Sequence, residues 1–264
     1  MQTSIYEGLK VENSSQKITS DSLVIEAPLQ ININNESFTV VMRTPNHDFD
    51  LIRGLLYAED IYKKKEPLEY SIIEEKKDGS SIVNINIKDS NLGKGYLNKR
   101  SLLSVSSCGI CGRKELDDLH KSSQKELDSS TFQLEKIHEM FLNLQKNQEI
   151  FKLSGGSHAA GIFNDTYKLL TIREDIGRHN AVDKCVGDLL HKNQLSKGKI
   201  LLVSGRVSYE IISKAFLAKV PLVVAVSACS SLAVDFAKEF GICLIGFTRE
   251  NKMTIYSNPN YIKQ

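Results

Sequence analysis

"KILLVSGRVSYEIISKAFLAKVPLVVAVS", residues 199–227, carries the rhythm that decides the fold. Residues 199–205 begin with a near-continuous apolar run and end in Ser-Gly, as in a strand buried on both faces of a sheet. A helix is predicted over 208–218, and "PLVVAVS" (221–227) reads as the next strand. The pattern continues downstream with a helix over 230–240 and the strand "ICLIGFT" (242–248). Upstream, "AAGIF" (159–163) and "YKLLTIR" (167–173) read as strands around an Asn164-Asp165 turn. "HNAVDKCVGDLL" (179–190) reads as an amphipathic helix. This alternation predicts an α/β layer with parallel strands and right-handed crossovers.

The first half reads differently. "SLVIEAPLQININNESFTVVMRTP" (22–45) alternates like a pair of strands, with Asn34-Asn35 as the turn. "HDFDLIRGLLYAEDI" (47–61) has helical spacing after Pro45. "YSIIEEKKDGSSIVNINI" (70–87) reads as a hairpin across Asp78-Gly79, and "RSLLSVSS" (100–107) as a further strand. Ser130 and Gln133 form a capping-box start to a helix over about 132–149, with Leu134, Ile137, Phe141 and Leu144 on one face. The expected division is a flexible arm over 1–18, a β-rich subdomain over 19–107, a mobile loop over 108–130 and an α/β domain over 131–264.

Composition sets limits. The chain has 264 residues, 41% hydrophobic and 25% charged, with a net charge of +2. Such a balance favours neither general nucleic-acid binding nor a membrane-surface role, so any anion site must be built locally. No apolar run approaches the ~18 residues of a spanning helix, and the polar start does not resemble a signal peptide. A cytoplasmic protein with reduced thiols is expected, and the odd count of five cysteines argues against a disulfide framework.

Polar residues gather at the predicted strand ends. "REDIGRHN" (173–180), "SGRVSYE" (204–210), "SACSS" (227–231) and "GFTRENK" (246–252) each follow an apolar strand, and "SGGSHAAG" (154–161) precedes one. Ligands of open α/β sheets bind at carboxyl strand ends, where helix N-termini suit phosphate. Arg178, Arg206 and Arg249 would supply fixed charge there, while Gly155, Gly156 and Gly205 let backbone approach a ligand. His158, His179 and Ser204 stand in the same segments. Singly, each arginine is more often solvated or ion-paired than ligand-bound, and each histidine more often structural. Glu174 and Asp175 would neutralise Arg173 and Arg178. No Walker A loop or G-x-G-x-x-G occurs. Cys185 and Cys243 read as core residues; Cys229 precedes a helix start that would lower its pKa, although a structural role is favoured.

"SVSSCGICGR" (104–113) holds the closely spaced pair Cys108 and Cys111. They would suit a metal, a redox disulfide or a carried sulfur. A structural zinc site needs four ligands, and no second CxxC or H-x₃₋₅-H is present. A deaminase-type site would need H-x-E and P-C-x-x-C, and Ser107 precedes Cys108 instead. The flanking Ser and Gly residues predict a pliable loop, and Arg113 and Lys114 favour thiolate. A carried persulfide is compatible with this, but the residues alone leave all three uses open.

Taken together, "MRTPNHDFDLIRGLLYAEDI", "SSCGICGR", "GGSHAAGIF", "EDIGRHNAVDKCVG", "SGRVSYEIISKA" and "GFTREN" closely resemble the FdhD family, from about residue 20 onward. The resemblance implies an accessory sulfurtransferase that accepts persulfide sulfur from a cysteine desulfurase. It would pass the sulfur to the molybdenum cofactor in its bis-guanine-dinucleotide form, before insertion into formate dehydrogenase. It implies a homodimer, with a cytidine-deaminase-like three-layer α/β/α domain beside the β-rich subdomain, α+β overall. Cys108 resembles the persulfide-bearing cysteine and Cys111 its helper. Phe247, Thr248, Arg249, Glu250, Asn251 and Lys252 match the cofactor-binding segment, with Arg178, His179 and Asp175 also assigned to the pocket. Guanine nucleotides such as GDP would mimic the cofactor's ends. Cys229-Ser230 departs from the Pro-Thr usual in the family. Two other readings remain: a cofactor chaperone whose CxxC binds zinc or forms a disulfide, and a nucleotide-binding assembly regulator without sulfur chemistry.

Overall fold

The computed structural model describes residues 2–99, 130–249 and 252–263. Strands β1 (Thr3–Glu12) and β2 (Ser15–Val24) pair antiparallel from Thr3↔Val24 to Glu12↔Ser15. Asn13 and Ser14 turn the chain with left-handed φ values of 47° and 68°. The sequence predicts a loose arm over much of this stretch; the structure has a two-stranded ribbon. The apolar residues of one ribbon face, Ile5, Leu9, Val11 and Ile18, are 59–75% exposed. Burial therefore leaves little mark in the sequence, and backbone pairing holds the ribbon instead.

The next sheet follows the sequence closely. Strands β3 (Ala27–Ile33), β4 (Glu36–Arg43), β5 (Glu69–Glu75) and β6 (Ser81–Asn86) lie in the order β4-β3-β6-β5. Asn34 and Asn35 both adopt positive φ, at 53° and 67°, as a two-residue hairpin turn with the sheet's twist requires. Gly79, at φ 87°, closes the second hairpin. Helix α1 (Asp48–Ala58) lays Leu51, Ile52 and Leu56 on Leu29, Ile31, Val83 and Ile85. A short helix α2 (Lys94–Lys99) follows. The predicted strand over 100–107 and nearly all of the CxxC loop lie outside the described residues.

The second half opens with strand β7 (Phe132–Gln133), helix α3 (Leu134–Lys146) and helix α4 (Glu149–Ser154). The predicted single helix over 132–149 is thus two, and Gln133 precedes α3 without a side-chain cap. Then come β8 (His158–Phe163), β9 (Leu169–Asp175), α5 (Arg178–His191), β10 (Ile200–Val203), α6 (Tyr209–Leu217), β11 (Leu222–Ala225), α7 (Ser231–Glu239), β12 (Cys243–Arg249), β13 (Lys252–Ser257) and β14 (Ile262–Lys263). β14 pairs with β7, and the large sheet has the order β13-β12-β11-β10-β8-β9. β10, β11 and β12 pair in parallel; β8 runs antiparallel to both β10 and β9, so β9 points the same way as β10, and β13 runs antiparallel to β12. This corrects the parallel layer expected from sequence. The tight Asn164-Asp165 turn permits only an antiparallel pair.

Three layers result. Leu201, Val203, Val223 and Leu244 pack under α5, α6 and α7, while Ile200, Leu202, Val224 and Ile245 face Ile137, Phe141 and Leu144 of α3. Burial on both faces accounts for the unbroken apolar runs of these strands. Helix α5 is not amphipathic in place: every residue from Ala181 to Leu189 is buried. The sheet covers one side and α1 covers the other. The two helices cross backbone to backbone, because a Cβ on Gly54 would sit 2.0 Å from the Asp183 carbonyl oxygen, and one on Gly187 would sit 1.8 Å from that of Asp50. Buried charges on α5 find partners: Lys184 with Asp175 at 2.7 Å, Asp183 with Lys214 at 2.7 Å, and Asp188 with Arg173 at 2.6 Å.

Candidate functional site

β9, β10, β11 and β12 end along one edge of the large sheet. β8 begins there, since His158 pairs with Asp175 and Ala160 with Val203. The loops after β10 and β11 and the outer part of β12 are joined side by side. Val207 N–H donates to Ala228 O at 3.0 Å, Ser230 N–H to Val207 O at 3.0 Å, and Phe247 N–H to Ser227 O at 3.0 Å. The edge is therefore a built surface rather than a row of separate loops.

Its centre is cationic. Ser204 Oγ accepts the Ala159 N–H at 2.9 Å, which fixes the turn after β10. A Cβ on Gly205 would meet the His158 ring at 3.1 Å and Arg178 Cβ at 3.6 Å, so glycine here lets those two side chains converge. Arg178 opens α5, whose N-cap residue Gly177 supplies no side-chain cap. The first N–H groups of such a helix have no partner within it, and they add partial positive charge. Arg178 Nε is itself buried with no hydrogen-bond partner among the described residues. Burial, then Arg178 and Arg206, push the His158 pKa below its ordinary value. His179 is pushed down to about 4 by burial, then by Arg178 and Lys214. Both imidazoles are neutral near pH 7. Together these groups can take an anion.

Phe247 stands at the end of β12, two strands from β10 and hence about 10 Å away. Its ring is 50% exposed, and its φ of 52° lies in the left-handed region. An aromatic residue there carries strain of about 1–3 kcal/mol and persists only where surroundings impose it. A register shift between Gly246 and Arg249 supplies the constraint. The adjacent Thr248 has a buried Oγ1 without a partner among the described residues. Arg249 and Lys252 are exposed and pair across the β12–β13 hairpin, while Glu250 and Asn251 lie outside the described residues.

The structure thus brings His158, Arg178, Gly205 and Arg206 together, with His179 beside them. It keeps Phe247, Thr248, Arg249 and Lys252 as a second group along the same edge. Gly155 ends α4 with φ 64°, and Gly156 seats Val24 of the ribbon. Cys108 and Cys111 lie outside the described residues. Two expectations are corrected. Asp175 is fully buried and does not line the edge; it accepts from Thr44 N–H, Gly177 N–H and Asn180 Nδ2 and pairs with Lys184. Glu174 accepts the Ile150 and Phe151 N–H groups and the Ser157 hydroxyl, leaving Arg173 to Asp50 and Asp188.

Cys185 and Cys243 are core residues, as expected. The Cys229 thiol is pushed up to about 11 by burial, the reverse of the lowering expected from a helix start. Ser208, Glu210 and Lys214 had no assigned role from sequence, although all stand in or just after "SGRVSYE"; their only mark was a serine at a helix start. A separate cleft of about 540 Å³ lies on the β-rich half, but its Glu66 and Glu69 disfavour a polyanion.

The FdhD/NarQ family model matches residues 24–263, which spans both sheets and the whole strand-end edge. The chain belongs to the FdhD/NarQ family. FdhD/NarQ relatives include a protein of Sulfolobus acidocaldarius, 38% identical with 96% of each chain covered. Another, from Nocardia farcinica, is 37% identical and covers 92% of this chain and 88% of its own. Both are named sulfur carrier protein FdhD. A crystal structure of a candidate formate dehydrogenase accessory protein from Desulfotalea psychrophila superposes with a TM-score of 0.77, covering 100% of both chains at 18% identity. That likeness shows a shared fold. Among the described residues of this FdhD/NarQ member, no helix is long and apolar enough to cross a membrane.

Proposed function

We propose that this FdhD/NarQ member is a cytoplasmic sulfur carrier serving formate dehydrogenase. Sulfur arrives from a cysteine desulfurase. The thiolate of Cys108 or Cys111 attacks the outer sulfur of the donor's persulfide, the donor S–S bond breaks, and the donor cysteine leaves as thiolate. The sulfur acceptor is the molybdenum cofactor in its bis-guanine-dinucleotide form, held as substrate at the strand-end edge of a homodimeric protein.

One observation carries the cofactor part of this reading. Arg178, at the uncapped start of α5 and beside Gly205 and His158, holds a buried Nε without a partner among the described residues. A buried guanidinium N–H without a partner is unfavourable by about 1–3 kcal/mol until something accepts it, and a phosphate oxygen is a matched acceptor. Phe247, about 10 Å along the edge, offers a flat ring to a base or pterin. The sulfur part rests on the CGIC pair and on the printed names of the relatives.

The test is mass spectrometry after incubation with a cysteine desulfurase and cysteine. A gain of one sulfur atom, removed by reductant and lost in the Cys108→Ala, Cys111→Ala double variant, supports the reading. Full activation of formate dehydrogenase by that double variant overturns it. A stoichiometric zinc content with no sulfur gain would assign the pair to metal.

A further inference from the structure

Ser208 occupies the capping position of α6, yet its hydroxyl caps nothing. It lies 3.0 Å from His179 Nε2, and its hydroxyl lowers the Glu210 pKa. Glu210 Oε2 stands 3.8 Å from the same His179 nitrogen. Proton inventory settles who donates. Burial pulls Glu210 upward, but the Ser208 hydroxyl, its own backbone amide and Arg178 together hold its carboxyl below the ordinary value. An ionised carboxylate only accepts, so Ser208 must give it its single proton. The Ser208 oxygen can then only accept from His179. Nε2 therefore carries the imidazole proton, and the lone pair lies on Nδ1. Among the described residues, Nδ1 has no hydrogen-bond partner.

We propose that Ser208 and Glu210 are positioning residues that lock His179 as the Nε2–H tautomer, so that Nδ1 accepts an N–H or O–H from the base or ribose of a bound nucleotide. This rests on the strand-end edge being the nucleotide site. It divides the work there. Arg178, Arg206 and the start of α5 donate to phosphate, whereas His179 accepts from an uncharged part of the ligand. An unsupported histidine would be free to present Nδ1–H instead, and would then repel such a donor. Elsewhere around His179 the ionisable neighbours are Arg178, His158 and Lys214, each of which lowers its pKa.

Long-range ¹H–¹⁵N correlation spectra of the whole chain near neutral pH report the tautomer, and titration calorimetry with GDP reports the ligand contact. The wild type should show His179 protonated on Nε2, free and with GDP bound. The amide of a Glu210→Gln variant can donate to Ser208, releasing the serine proton to His179. That variant should show the Nδ1–H form and bind GDP about three- to tenfold more weakly, the loss of one neutral hydrogen bond. Ser208→Ala should likewise mix the tautomers. Nδ1–H or imidazolium in the wild-type complex overturns the proposal. So does an unchanged tautomer in both variants, or a changed tautomer with unchanged affinity. If the wild type shows the Nε2–H form but does not bind GDP, the relay stands and the pocket reading fails, taking the acceptor role with it.

Discussion

Asp175 and Lys184 face each other at 2.7 Å with neither side chain exposed, and Thr44 holds both, donating its N–H to the acid and accepting the amine's proton on its carbonyl. One pair thus ties the end of β9, the middle of α5 and the segment before α1. Removing one partner leaves an uncompensated buried charge. Asp175→Ala should destabilise the protein by about 3–5 kcal/mol. Denaturant unfolding checks this, and Asp175→Asn combined with Lys184→Met should recover much of the loss, because neither charge then remains.

The helix crossing makes a sharper demand. A methyl on Gly187 would lie 1.8 Å from Asp50 O, a backbone atom on a helix that cannot turn aside. Gly187→Ala should lower stability by at least about 1–3 kcal/mol, the range for overpacked cores. Gly54→Ala should behave alike, for its methyl would meet Asp183 O at 2.0 Å. Thermal melts of both variants beside Gly8→Ala, whose new methyl meets nothing within 4 Å, provide the control.

Ligand binding should separate the arginines from the fold. A charge-assisted contact to phosphate contributes about 1.5–3 kcal/mol, so Arg178→Ala should weaken GDP binding roughly ten- to a hundredfold. Arg178→Lys should recover only part, since it keeps charge but not the planar fork. Arg249→Ala should also weaken binding if the nucleotide reaches Phe247. Calorimetry with GDP measures all three, and sulfur loading of the same variants should be unchanged. Wild-type affinity in both alanine variants would remove the edge from consideration.

His179 also couples stability to pH. Its folded pKa, about 4, lies below the ordinary 6.5. The unfolded chain therefore binds the proton first as pH falls. Stability from this group is intact above about pH 6.5 and is lost as pH drops toward 4. Between pH 7 and pH 5 the loss should be about 2 kcal/mol. His179→Gln, which cannot charge, should flatten that part of the profile. The difference between the two proteins isolates His179 from Asp183, whose carboxyl is raised to about 6 by burial and responds with the opposite sign. Parallel profiles would show that His179 titrates normally.

Much of the fold was legible because burial left its period in the chain. The runs at 200–203 and 222–225 are apolar on both faces because helices cover both faces. Asn34-Asn35 and Asp78-Gly79 announced hairpins through residues that tolerate positive φ. The ribbon over 3–24 escaped notice because most of its side chains stay in water, where no pattern is enforced. The fully buried α5 escaped because Asp183, Lys184 and Asp188 looked like a solvated face until their partners Lys214, Asp175 and Arg173 came from distant segments. At the site, Arg178 and His158 were legible as polar residues at strand ends. The separation of roles within "EDIGRHNAVDK" was not, since Glu174, Asp175 and Arg178 look alike as charges. Only tertiary contacts show that the acids brace neighbouring segments, while the Arg178 Nε is left without a partner among the described residues.

The glycine crossing of α1 and α5 bears on how the site can move. A rod gripped at mid-length neither slides nor rolls, and α5 is gripped there by α1 on one side and the sheet on the other. Arg178 and His179, at its leading end, are therefore stationary fixtures. Any opening that admits a bulky substrate has to come from parts of the edge other than this helix start.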